Sequence, residues 1–345
     1  MLSFFKNIYR PKLINSKIIG NQLFINKKKI EYNKILSFGN KNKNKFFYII
    51  KKNYSPTGFF SNLFFVLDHL QYALNKKFIP FVDMENFPTV YNEKNLINKT
   101  HNSWEYYFYN FTKIKDIYNN YNVIFSDNSR IQKDSFPPHK NLIDIYRKYI
   151  KILPRHISQY KKNKSLIFKK NDKILGISIS GGLQKIVRGH SFPLDPDKML
   201  EISKKIFQKE KCTKVFLVTR DLDYYDKFAS YYDDKFIHTS LERSKSSFWG
   251  THNFHFEEYS RKDHRYKFGR ETLIEGLLLS DTAVLLCDRS NISQFAFLKS
   301  NSKNKYLILS EFNSNNVFLA RWLWYLKVYC PIIFSKINYK IIKYK

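Results

Sequence analysis

The sequence has too few cysteines for either of the frameworks cysteines usually build. Cys212, Cys287 and Cys330 are three in 345 residues, odd in number and widely spaced, which excludes a disulfide scaffold and a zinc cluster. A reducing compartment is expected. Two of the three lie in apolar runs, where a free cysteine behaves as a small hydrophobe. Long hydrophobic runs are also missing. No stretch reaches the roughly 18 uncharged apolar residues that a membrane span needs, and the nearest candidate, 317–334, is interrupted by Arg321, Lys327 and Pro331. The opening residues, MLSFFKNIYRPKLINSK, lack the continuous apolar core and small-residue cleavage site of a secretory signal. The expectation is a cytoplasmic protein. Acidic side chains are scarce too: 29 Asp and Glu face 60 Lys and Arg, a formal net charge of +31.

Such a charge suits a polyanion partner, either nucleic acid, anionic lipid or a phosphorylated substrate. Composition offers a plainer source. The chain is rich in Lys, Asn, Ile, Phe and Tyr and poor in Ala and Gly, as an AT-rich coding sequence would give. Lys greatly outnumbers Arg, the residue favoured for base-edge and bidentate phosphate recognition. No nucleic-acid-binding module is recognisable, so no nucleic-acid partner is expected.

What the sequence does hold is apolar mass in short periodic segments. Its 43% hydrophobic and 18% aromatic content supports folded cores, and the length suits two domains. Residues 45–52 (KFFYIIKK) read as a buried strand, 61–76 as a helix with Leu63, Val66, Leu67, Leu70 and Leu74 on one face, and 78–84 as the next strand. A short strand at 123–126 and a helix at 142–152 follow. The basic stretch 161–172 (KKNKSLIFKKND) marks the expected boundary between a domain over 1–160 and one over 161–345.

The second half alternates strand and helix: strands at 174–180, 214–219, 236–240, 283–288 and 306–310, helices at 195–210, 224–232, 269–280 and 290–298. That is the order of a Rossmann-like parallel sheet. Asp195 and Pro196 supply a cap and first turn for one of these helices. The terminal segment 315–330 reads as a helix with Phe318, Trp322, Tyr325 and Tyr329 along one face. Large aromatics at helical spacing are usually core, so packing against the protein is the first expectation. A membrane-surface helix is the alternative.

Ligands of open α/β sheets bind beyond the carboxyl ends of the strands. The first strand of the second half ends in Gly181 and Gly182, then Lys185, Arg188, Gly189 and His190. The next ends in Thr219, Arg220 and Asp221. The segment CDRSNISQ places Asp288, Ser290, Asn291 and Ser293 at the start of a helix, where free N–H groups, hydroxyls and the dipole suit an anion. From spacing alone, Ser290 or Asn291 is first of all a helix cap. Asp221-Leu222-Asp223 has the D-x-D form of metal-dependent sugar transfer, but it is also an ordinary turn after a strand, and no metal is expected there. The histidines of THNFHF, with His264, have no ligand spacing that supports zinc.

In order and spacing these segments resemble the bacterial relatives of the α-1,6- and O-fucosyltransferases, a superfamily of GT-B glycosyltransferases. The resemblance runs from about Tyr54 to Ser310. It rests on GFFSNLFFVLDHLQYALNKKFIPFVDMENFPTVYNE and NSWEYYF in the first half, and on GHSFPLDPDKML, KVFLVTRD and YKFGRETLIEGLLLSDTAVLLCDRSNISQFAF in the second. It implies an α/β, GT-B-like protein of two Rossmann-like domains facing a cleft. The second domain would hold a nucleotide sugar, commonly GDP-fucose, and the first a glycan or lipid-linked acceptor, with Gly58, Asn62, Asp68 and Glu85 on that acceptor side. The reaction would be inverting and metal-independent, with no cofactor beyond the sugar donor, and it would serve surface polysaccharide synthesis at or near an anionic membrane surface. The donor site would include Gly181, Gly182, Thr219, Asp221, Ser290, Asn291 and Ser293, with His190 in the Gly-His-Pro-like element. Relatives follow their first donor-domain strand with an Arg that binds the diphosphate, then an acidic residue. Here Ser180-Gly181-Gly182-Leu183 stands in that place. Arg188 or Lys185 could replace the missing cation, the donor could differ, or the protein could be a degenerate binder of nucleotide or glycan. No general base is assigned by sequence, although His190, Asp68 and Glu85 have suitable chemistry.

Overall fold

The computed structural model describes residues 16–19, 22–25, 28–52, 57–112, 117–129, 131, 136–181, 193–240, 242–243, 260–310, 319, 322–323, 325–326, 329–330 and 339–344, with side chains from residue 30 onward. The chain divides into two compact units, Met1–Ile157 with Ser260–Thr272, and Ser158–Tyr259 with Leu273–Lys345.

In the first unit, a small antiparallel meander joins β1 (Ser16–Ile19), β2 (Gln22–Ile25) and β3 (Lys28–Lys29). Its main sheet has the order β4-β7-β5-β6, formed by β4 (Ile35–Leu36), β5 (Lys41–Ile50), β6 (Ile79–Val82) and β7 (Asn120–Phe125). Strand β5 runs parallel to both β6 and β7, while β4 is antiparallel at the edge. The second half of β5, Phe47 to Ile50, is wholly buried, as its unbroken apolar run requires of a central parallel strand. Helix α1 (Phe59–Asn75) makes the crossover between β5 and β6. Leu63, Val66, Leu67 and Leu70 are buried as their spacing predicts, and so are Phe60, Phe64 and Phe65, so α1 is a core helix. Helix α2 (Lys140–Tyr149) follows.

Helix α3 (Pro154–Ile167) has no counterpart in the sequence reading and takes in the first part of the basic stretch 161–172. Its lysines are good helix formers, and His156 is the residue it buries. One buried position in so polar a segment leaves little periodicity to detect.

The second unit has a six-stranded sheet, β10-β9-β8-β11-β12-β13. The strands are β8 (Ile174–Ser178), β9 (Lys214–Val218), β10 (Phe236–Ile237), β11 (Val284–Cys287), β12 (Asn304–Ser310) and β13 (Tyr339–Tyr344). All pair in parallel except β13, which closes the edge antiparallel to β12. Strand β13 has no counterpart in the sequence reading. Its two lysines, Lys340 and Lys343, suit an exposed edge and leave little apolar signal. Helices α4 (Pro196–Lys209), α5 (Leu222–Tyr232) and α7 (Asn291–Lys299) make connections, together with α6 (His264–Ser280), of which only the part from Leu273 onward belongs to this unit. Asp195 caps α4 as expected, its carboxylate accepting the Lys198 N–H at 2.9 Å. A core of Leu175, Ile177, Val215, Leu217, Val284 and Leu286, among others, joins the strands to Met199, Ile202 and Ile206 of α4.

The terminal aromatic segment departs from the expectation of a packed helix. The described positions 319, 322, 323, 325, 326 and 329 are helical, yet Trp322 is 59% exposed and Tyr329 72%. Phe318 lies outside the described residues.

Candidate functional site

In the second unit the chain connects β8 to β9 on one side and, after β10, returns to β11 on the other. This reversal beside β8 opens the sheet at the carboxyl ends of β8 and β11, the usual ligand position of an open α/β sheet. The elements on the two sides of the reversal are held together through Asp288. The Asp288 N–H donates to Ser178 O at 3.1 Å, and Asp288 Oδ2 accepts the Ser180 N–H at 2.6 Å. Burial pushes the Asp288 carboxyl above its ordinary range, while hydrogen bonds from Ser180, Ser290 and Ser293 oppose that shift.

Ser290 is the N-cap of α7, its hydroxyl accepting the Ser293 N–H at 3.3 Å. The two hydroxyls lie 2.8 Å apart, and Ser293 Oγ donates to Asp288 Oδ1 at 3.3 Å. Ser290 is thus the helix cap, Ser293 behind it is fully buried, and Asn291 opens the helix. Arg289 is exposed beside them. A shallow cavity here is lined by Ile179, Leu194, Met199, Asp288, Arg289 and Ser310.

Gly181 explains part of the unusual strand end. Its φ is +59°, and a Cβ there would lie 2.8 Å from Asp221 Cβ and Oδ2. A side chain would be strained by the backbone and would collide with Asp221. Asp221 is 7% exposed and caps α5, accepting the Asp223 N–H at 3.0 Å. The D-x-D sequence thus forms a helix start. The Asp221 N–H in turn donates to Thr219 Oγ1 at 3.2 Å. Gly181, Thr219, Asp221, Ser290, Asn291 and Ser293 all stand at the ends of β8, β9 and β11 in one unit. Gly182, Lys185, Arg188 and His190 lie outside the described residues, as do the histidines of THNFHF. His264 accepts from Arg261 Nε at 2.9 Å.

A cationic cluster to which the sequence reading gave no role stands at the ends of β9 and β10. Arg220 Nη2 lies 3.6 Å from Glu275 Oε2, with side chains 9% and 2% exposed. Glu275 Oε1 also accepts from Thr239 Oγ1 at 2.9 Å, and Arg220 Nη1 donates to Glu242 O at 3.0 Å. Arg243 lies over the Tyr225 ring at 3.7 Å and donates to Thr239 O at 3.3 Å. Burial pulls the Arg243 guanidinium down from its ordinary value. The signal in sequence was slight: single arginines after two strands, and a Glu at the apolar middle of α6.

In the first unit, Gly58 precedes α1 at φ −64°, a conformation open to any residue, and its carbonyl accepts the Asn62 N–H at 3.1 Å. Asn62 Oδ1 accepts from Thr57 Oγ1 at 2.7 Å. Asp68 is only 1% exposed inside α1, which closes it off from a substrate in this conformation. Glu85 follows β6 and is half-buried. Burial first, then Asp83 and Glu105, push its carboxyl up to about 7. Asp83 beneath it is buried and accepts from the Glu85 N–H at 3.1 Å, the Asn86 N–H at 2.9 Å, Asn86 Nδ2 at 2.8 Å and the Tyr118 hydroxyl. Lys51, directly after β5, is 1% exposed, with its ammonium 4.2 Å from the Tyr32 ring centre and 3.4 Å from Asn128 Oδ1. Burial pulls it down to about 7.

No family model and no curated protein matches the sequence. Solved structures do. The chain aligns with NodZ α-1,6-fucosyltransferase co-crystallised with GDP at a TM-score of 0.50 and 12% identity, over 87% of this chain and 99% of that one. The chain has a fucosyltransferase-like GT-B fold. NodZ from Bradyrhizobium in its Se-Met form gives 0.49 at 13% identity, over 87% and 99%. An Arabidopsis thaliana FUT1 mutant in complex with GDP gives 0.44 at 12%, over 76% and 70%. At such identities the likeness is one of fold, and the GT-B fold serves many donors and acceptors.

Proposed function

We propose that the protein is a glycosyltransferase that takes a sugar from a nucleotide donor, GDP-fucose before others, and places it on a surface glycan, free or lipid-linked. One observation carries this reading. On a GT-B scaffold whose solved counterpart was crystallised with GDP, the second unit presents the Ser290-capped start of α7 at the reversal of its sheet. The first-turn N–H groups, the half-buried Ser290 hydroxyl and the helix dipole suit a diphosphate, and fixed dipoles stabilise its departure with little reorganisation. In this reading the transfer is inverting and needs no metal. Arg188 supplies the cation that relatives carry earlier, and His190 and Glu85 are the groups to test as the base for the acceptor.

Calorimetry with GDP, GDP-fucose, GDP-mannose, UDP and UDP-sugars tests it. A preference for one GDP-sugar, with transfer persisting in a chelator, is the expected result. A folded protein that binds none of them would overturn the reading.

The Ser180-Gly181 strand end favours one second reading, a non-catalytic binder of nucleotide or glycan. Arg188→Ala separates the two. A transferase loses turnover by about 100-fold or more, as when one charge-stabilising donor is removed, whereas a binder has no turnover to lose.

A further inference from the structure

We propose that the terminal helical segment docks on an anionic lipid surface. Leu319, Trp322, Leu326 and Tyr329 are spaced three, four and three residues apart, so they form one stripe along the helix. All four are exposed, at 50%, 59%, 39% and 72%. Tyr325 borders the stripe and stacks on Tyr329 with ring centres 6.3 Å apart. Cys330 closes the final turn by donating its N–H to Leu326 O at 2.8 Å, and its side chain is also exposed. Monomeric proteins seldom leave such a continuous apolar stripe to water.

Charge and residue type choose the occupant. Residues 312–345 carry Arg321, Lys327, Lys336, Lys340, Lys343 and Lys345 and no Asp or Glu. A segment whose charged residues are all basic and which carries an apolar stripe matches an anionic headgroup layer, which attracts basic side chains as the apolar groups enter. Trp and Tyr, amphipathic rings with a polar edge, are the residues that settle at a membrane–water interface. A second copy of the chain fits less well. The stripe spans fewer than the three to four heptads a coiled-coil seam needs, and each copy would bring the same positive charge. No described helix is long and apolar enough to cross a membrane, so the segment would lie on the surface. This docking does not depend on sugar transfer, so a protein that binds no nucleotide could still bind lipid.

Co-sedimentation of the full chain with vesicles of phosphatidylglycerol and phosphatidylcholine, against phosphatidylcholine alone, is the test. Binding to the anionic vesicles is expected, with a fall of about tenfold or more in a Trp322→Glu/Tyr329→Glu variant that keeps its melting temperature, since the stripe then loses buried apolar area. A measurement that needs no disruptive variant uses bilayers containing brominated lipid. They should quench the tryptophan emission of the wild type, and Trp322→Phe should lose much of that quenching. Failure of the wild type to bind anionic vesicles would overturn the proposal. So would binding unchanged in the double variant, quenching unchanged in Trp322→Phe, or a dimer in solution that the double variant abolishes.

Discussion

At the carboxyl ends of its parallel strands, the second unit ties its carboxylates to donors. Asp288 takes the Ser180 N–H and the Ser293 hydroxyl, Asp221 takes the Asp223 N–H, and Glu275 takes Thr239 and lies beside Arg220. At the same ends of the first unit Asp83 is tied in the same way, but Lys51 and Glu85 are brought close to neutrality by burial. Two sheets of similar topology have therefore been finished differently. One end offers fixed dipoles and a braced backbone, and the other offers groups that exchange protons near pH 7. Under the proposed function this is a division of labour. A departing diphosphate needs dipoles that do not move, while an acceptor hydroxyl needs a base whose affinity for protons is near that of the medium.

The largest effect should come from breaking the ties of the second unit. Glu275→Ala leaves Arg220 buried without its carboxylate, and removing one partner of a buried pair costs about 3 kcal/mol or more. Chemical denaturation should show a loss of that size. Arg220→Met with Glu275→Leu should recover most of it, because the charge and its partner leave together. A loss in the single variant as small as that of a surface substitution would show that this cluster does not brace the strand ends.

Two glycines give a second contrast. Gly181→Val forces a branched side chain into a left-handed backbone and against Asp221. It should destabilise the fold by about 2–3 kcal/mol and weaken GDP binding by about tenfold or more, read by denaturation and calorimetry. Gly58→Ala in the first unit, at φ −64°, should cost less than about 1 kcal/mol. Equal losses would erase the distinction.

The sequence made most of this scaffold legible because parallel strands buried on both faces are unbroken apolar runs, and helices announce themselves through caps. Asp195 and Ser290 both proved to be caps where the pattern placed them. Helix α3 and strand β13 escaped, one because it buries so little of itself and the other because it is a short edge strand interrupted by two lysines. At the site, residues at strand ends were legible since topology alone puts them there. The pairing of Arg220 with Glu275, 55 positions apart in sequence, was not, because only the folded chain brings them together. Gly181 was noticed as unusual, but its cause is a contact with Asp221 that no local pattern contains. The exposure of Trp322 was missed for the opposite reason: spacing reports which residues share a helix face, and it does not report whether anything covers that face.

A further contrast lies in slopes of stability against pH, whose signs differ within the first unit. Lys51 falls from 10.5 when unfolded to about 7 in the fold. Between those values the unfolded chain holds a proton that the folded chain lacks, so stability rises with pH across that window. Lys51→Met should flatten this rise, and it should stabilise the protein most below pH 7, where the folded ammonium is charged in its buried site. Glu85 rises from 4.5 to about 7. There the folded chain holds the extra proton, so stability falls as pH climbs from 4.5 to 7, and the cost is complete above it. Glu85→Gln should remove its share of that fall, leaving the part due to Asp83, which burial also holds above the ordinary carboxylate range. Urea titrations of wild type and variants at a series of pH values isolate each slope, since unrelated groups cancel in the difference. If Glu85 is also the base for the acceptor, Glu85→Gln will remove the inflection near pH 7 from the rate profile and lower turnover by about 100-fold or more. If only the stability slope changes, Glu85 is a buried carboxyl without a part in transfer, and the contrast between the two units is one of folding alone.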